Sequence, residues 1–152
     1  MPLKRTIDKA QRDKREGKSA STQAGEFVRE EIDKIRHGEH GARSAKQAIA
    51  IGLSEARRAG VDLPPPARGQ TSERTRKNAE YAYEAGQGIR KPKRSKRRSR
   101  AVTKALKREP RTTVSRKALS QQAKGAASRR TAAQRSAAAR KAARTRKRRA
   151  AR

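Results

Sequence analysis

The sequence predicts an all-α protein: a small helical hairpin of three to four short helices with a long, disordered, basic C-terminal tail. Three observations carry that prediction. Residues 21–60 contain two apolar stripes at helical spacing, joined by a short turn rich in glycine. Glycine and proline stand where helices of those lengths would end. Charge is divided sharply along the chain: residues 1–66 hold 14 basic and 10 acidic side chains, residues 67–152 hold 30 and 4. A chain of 152 residues with 31% hydrophobic and 2% aromatic content lacks the material for one core throughout its length.

The first segment, 1–18, reads as a short helical arm. Leu3, Ile7 and Ala10 fall at i, i+4 and i+7, and Gly17 breaks the pattern. Its thin apolar edge suits a third helix laid on the hairpin, because two helices alone are near the lower size limit for folding. The alternative is a solvated arm, with a second copy of the chain or a bound partner completing the hairpin instead. Gly17-Lys18-Ser19 is not a phosphate-binding loop: Arg12 stands where the first glycine is needed.

The hairpin domain spans 19–61. Ala24, Phe27, Val28, Ile32 and Ile35 line one face of its first helix, capped by Ser21 or Thr22 and ended by Gly38. Ala45, Ala48, Ile49, Gly52, Leu53 and Ala56 line the second. Ser44 with Gln47 makes a capping-box pattern there, and Gly60 closes it. Gly25 and Gly52 each cost about 1 kcal/mol against alanine; close backbone approach or a tolerated surface position explains either. Glu26, Glu30, Glu31 and Asp33 form an acidic outer face, a solvated stripe or a seat for the cationic tail. His37 and His40, with no cysteine in the chain, make a polar turn rather than a metal site. Arg43 with the Gly41–Ser44 backbone at a helix start offers a seat for phosphate, and Arg57 and Arg58 close the same helix with further positive charge.

Residues 62–70 read as a linker stiffened by Pro64, Pro65 and Pro66. Residues 71–88 form one more helix, capped by Thr71 or Ser72, with Tyr83 turned to the hairpin. The tail, 89–152, has one acid, Glu109. Short stripes at Ala101–Leu106 and Val114–Leu119 precede an alanine and arginine run from Ala126. Alanine, lysine and arginine favour helix, yet like-charge repulsion predicts disorder in solution and helix on a polyanion.

The STQAGEFVREEI, HGARSAKQAIAIGLSEARRAG and PPP stretches resemble small, very basic bacterial proteins of a domain-of-unknown-function family, often labelled DNA-binding. The resemblance runs from about Lys4 to Gln87, and it implies no catalytic residues. The tail is similar in composition to those of linker-histone-like and bacterial histone-like proteins.

These readings predict a non-specific, nucleoid-associated DNA-binding protein acting by phosphate neutralisation. Its contacts are Arg43, Arg57 and Arg58 in the hairpin; Lys93, Arg94, Lys96, Arg97, Arg98, Arg100, Lys104, Lys107 and Arg108 next; then Arg129, Arg130, Arg140, Lys141, Arg144, Arg146, Lys147, Arg148 and Arg149. The alternatives are an RNA- or ribosome-associated protein, and an interaction module whose tail only localises it. Duplex DNA is the expected partner, with a homodimer or protein partner through the 21–60 hairpin. No membrane, cofactor, metal or enzymatic activity is expected, since no apolar run reaches the length of a span and no catalytic constellation occurs. The expected location is cytoplasmic, on the nucleoid.

Overall fold

A computed structural model describes residues 2–92 and 95–151, and of Arg149 the backbone alone. Among these residues the structure is all-helical: α1 (Lys4–Arg15), α2 (Ala20–Arg36), α3 (Ala45–Arg58), α4 (Glu73–Gly86), α5 (Lys96–Lys107), a 3-10 turn (Thr112–Val114), α6 (Arg116–Ser128) and α7 (Ala132–Ala150). They divide into two units, 1–115 and 116–152.

The first unit is built on the α2–α3 hairpin. Phe27, Ala24 and Ala56 are wholly buried between the helices, with Ala10 of α1 and Val61 beyond α3 completing the cluster. The predicted arm is therefore a packed third helix, with Ile7 and Ala10 supplying its inner edge. The Glu30 carboxylate of α2 accepts the Leu3 backbone N–H at 3.0 and 3.1 Å, placing negative charge at the positive start of α1. Ser19, not Ser21 or Thr22, is the N-cap residue of α2; its hydroxyl lies 2.9 Å from that of Ser21 and 3.1 Å from that of Thr22. Ser44 caps α3 as its spacing predicts, accepting the Gln47 N–H at 3.2 Å, while the Gln47 side chain takes the Arg43 N–H at 2.7 Å.

Two further segments close this unit. α4 lies on α3, with Ala79 and Ala82 buried and the Tyr83 hydroxyl donating to Asp62 at 2.7 Å. Its last residue, Gly86, meets the α3 backbone so closely that a Cβ would fall 1.8 Å from the Arg57 carbonyl oxygen. The 62–70 segment is no free spacer at its start. Leu63 packs on the core, and the Arg57 guanidinium donates to the carbonyls of Leu63 and Pro64 at 3.0 and 3.2 Å.

Residues 108–115, which we call the strap, come from the predicted tail yet belong to this unit. Val114 is fully buried against Ile35, Ala42 and Ala48, capping the far end of the hairpin. Thr113 Oγ1 donates to the Ala42 carbonyl at 2.8 Å, and Arg36 Nη2 donates to the Val114 carbonyl at 3.2 Å. The first compact unit thus runs through residue 115, past the start of the basic segment at residue 89. The charge change near residue 89 marks where the surface turns basic, and the core continues past it to Val114.

A disordered tail is not what the structure describes: 96–107, 116–128 and 132–150 are helical. α7 carries a full capping box, with Thr131 Oγ1 accepting the Gln134 N–H at 3.2 Å and Gln134 Oε1 accepting the Thr131 N–H at 3.1 Å. Neither proline nor glycine interrupts 126–151. Local propensity and capping therefore prevail over the repulsion on which the expectation of disorder rested. In the second unit α6 buries no residue, and the described residues of α7 are exposed apart from half-buried Thr145.

Candidate nucleic-acid interface

The expected phosphate seat at the start of α3 is taken by the chain itself. The Gly41 N–H donates to the Leu106 carbonyl at 2.9 Å and the Ala42 N–H to that of Pro110 at 3.1 Å. Any Cβ on residue 41 would fall 1.8 Å from the Glu109 carbonyl oxygen, so only glycine admits this contact. Arg43 stays exposed, with its Nε 3.8 Å from the Glu109 carboxylate. Arg57 is buried with its guanidinium on two carbonyls, and burial lowers its proton affinity. That arrangement makes it a clamp on the proline segment, whereas its neighbour Arg58 is exposed.

The predicted acidic outer face also turns inward in part. Glu30 and Glu31 are buried on α2. Burial alone would raise the Glu30 carboxyl, but Lys34, Thr6 and the Leu3 N–H outweigh it and hold it below the usual range. Lys34 pairs with Glu30 and lies 3.8 Å from Glu55 on α3, and these carboxylates keep its ammonium charged despite burial. Burial pushes the Glu31 carboxyl up, His40 opposing and Glu55 adding to the effect. His40 Nδ1 donates to the Gly41 carbonyl at 3.0 Å, leaving Nε2 3.6 Å from Glu31 Oε1. His37 is engaged separately, donating from Nδ1 to the Asp33 carbonyl at 2.7 Å. The two histidines do not converge, and no cluster of three metal-ligating side chains occurs among the described residues.

The exposed cations lie elsewhere. On α5, Lys96, Arg97, Arg98, Arg100, Lys104 and Lys107 are all exposed, and Arg108 follows them. Arg129 and Arg130 are exposed between α6 and α7. On α7, Arg140, Lys141, Arg144, Lys147 and Arg148 share one side by helical spacing, with Arg146 on another, all exposed. Lys93, Arg94 and the side chain of Arg149 lie outside the described residues. No ion pair holds any of these cations from Lys96 onward among the described residues. Arg36 and Arg111, exposed beside the strap, escape a sequence reading. Pro110 followed by an isolated valine was the only signal that the chain folds back there.

The fold and surface define a small all-helical protein whose C-terminal half presents lysine and arginine to solvent. Residues 3–67 match a family of unknown function (DUF6496). That span covers α1, α2, α3 and the proline segment, and stops short of α4, the strap and the second unit. No curated protein and no solved structure matches the chain. No helix among the described residues is long and apolar enough to cross a membrane.

Proposed function

We propose that this protein binds DNA without regard to sequence, as a nucleoid-associated, histone-like protein that neutralises phosphates. One observation carries the reading: every described lysine and arginine from Lys96 to Arg148 is exposed, with Glu109 the only acid in that range. Such a surface releases condensed counterions when it meets a polyanion, a driving force blind to base identity. Reading bases needs polar side chains held at fixed places in a groove. α7 instead offers arginine and lysine among alanines, suited to backbones and to any duplex. The described residues of α7 are exposed apart from half-buried Thr145, so a polyanion favours its helical form by cancelling the repulsion between its cations.

RNA remains the alternative polyanion, but stacking on exposed aromatics does not support it. Tyr83 is bonded to Asp62, and the Tyr81 ring lies beneath Arg90, 5.2 Å from the guanidinium carbon. The test is a comparison of unrelated duplexes of equal length, with RNA duplexes beside them, against the whole chain. Affinities within a few-fold of one another across the DNA set are expected. A hundredfold preference for one sequence, or for RNA over DNA, contradicts the reading.

A further inference from the structure

We propose that α5 is a built seat for successive phosphodiesters, oriented by the docking of the strap on the hairpin turn, and that this seat outweighs an equal number of charges on α7. The proposal rests on the polyanion reading above and adds where binding is strongest and what sets it.

The geometry begins with one side of α5. Ser99, Arg100, Thr103, Lys104, Lys107 and Arg108 line an open trough of about 540 Å³ with no acid among them. Two hydroxyl donors and four cations thus face the same space. Arg100, Lys104 and Arg108 recur every four residues, a step of about 6 Å along the axis, comparable with the step between successive phosphates on one strand. The opposite side of α5, with Ala101, Val102, Ala105 and Leu106, is apolar. Leu106 is half-buried there.

What separates α5 from α7 is attachment. The C-terminal end of α5 is pinned to the hairpin: the Leu106 carbonyl accepts the Gly41 N–H, and the chain continues directly into the strap. Val114 is buried in the core, Thr113 and Arg36 bond across the junction, and Glu109 faces Arg43. Ser95 caps the other end of α5, accepting the Arg98 N–H at 3.3 Å. α5 buries no residue of its own, but its C-terminal turn, which carries Lys104 and Lys107, is held on a folded unit before any ligand arrives, and a site held at one end loses less conformational freedom on binding than a helix held at neither. A membrane surface suits this helix less well, because Val102 and Leu106 are its only bulky apolar side chains.

The test removes equal charge from the two places in the full-length chain. Arg100→Gln/Lys104→Gln/Lys107→Gln on α5 is compared with Arg140→Gln/Lys141→Gln/Arg144→Gln on α7, using a short DNA duplex, an RNA duplex and anionic phosphatidylserine vesicles. A third variant, Gly41→Ala, displaces the strap without changing any charge, and its fold is checked by circular dichroism. The expected result is at least a tenfold greater loss of duplex affinity for the α5 variant than for the α7 variant, with a fall in Gly41→Ala as well. Equal losses in the α5 and α7 variants overturn the proposal, and so does a folded Gly41→Ala that binds as the wild type. A larger α5 effect on vesicles than on duplex overturns it in favour of a lipid surface. If the wild type binds neither duplex, the polyanion reading itself falls with it. Should Gly41→Ala not fold, the α5 and α7 comparison alone decides.

Discussion

Gly25 and Gly52 hold the same kind of place in the sequence, a glycine inside a helical stripe, and the structure separates them. A Cβ on residue 52 would lie 2.6 Å from Val28 Cα and 2.9 Å from its nitrogen, whereas one on residue 25 meets nothing within 4 Å. Gly52→Ala should therefore cost about 1–3 kcal/mol by forcing α2 and α3 apart. Gly25→Ala should gain about 0.5–1 kcal/mol from helix propensity. Urea unfolding of the two variants checks both signs. Spacing alone could not distinguish them, since it gives the stripe and not which turn of the partner helix lies opposite.

Glu31 supplies a second test at this scale. Its folded-state carboxyl titrates above the usual 4.5 because burial disfavours the charge, with His40, Glu55, Lys34 and Glu30 around it. The folded state then holds this proton more tightly than the unfolded chain. Its contribution to stability is fully present below pH 4.5 and is lost as pH rises through the raised value. Glu30 acts in the opposite sense, its depressed carboxyl adding stability that disappears as pH falls. Glu31→Gln, whose amide can donate to His40 Nε2, should thus lose the Glu31 part alone. The difference in Tm between variant and wild type should grow from pH 4.5 toward neutrality; a constant difference would contradict this account. The sequence showed these glutamates as a charged face because α1 and α3 approach α2 from different sides, which one helix's periodicity does not reveal.

Among elements, the strap is the one that changes the fold's boundaries. The apolar stripes of α1, α2 and α3 were legible because each repeats at 3.6 residues over several turns. Val114 was not, being a single buried side chain on a one-turn element amid charge. Val114→Ala should cost about 2 kcal/mol from lost burial and the cavity left against Ile35, Ala42 and Ala48. A chain ended at Pro66 keeps α1–α3 but loses Val114 and the α4 cover over α3. It should melt less cooperatively than one ended at Ser115, as followed by circular dichroism and amide exchange. Equal protection of α3 in both would show the strap to be dispensable.

At the scale of the whole molecule, apolar pattern organises the fold, and the proposed function rests on charge. The asymmetry of 14 basic and 10 acidic residues before residue 67, against 30 and 4 after it, was plain from sequence. The structure adds that, among the described residues, the cations of α5, α6 and α7 are exposed rather than spent on internal ion pairs. The expected contacts Arg57 and Arg43 fared differently, the first buried as a clamp and the second facing Glu109, because tertiary contacts from distant segments reach them. Counterion release remains the central physical claim, and its signature is dependence on ionic strength. Measured for the intact protein on a DNA duplex over a salt series, log affinity against log salt should fall linearly, with a slope near −9 if about ten phosphates are contacted. Affinity that holds constant from low to high salt would contradict it.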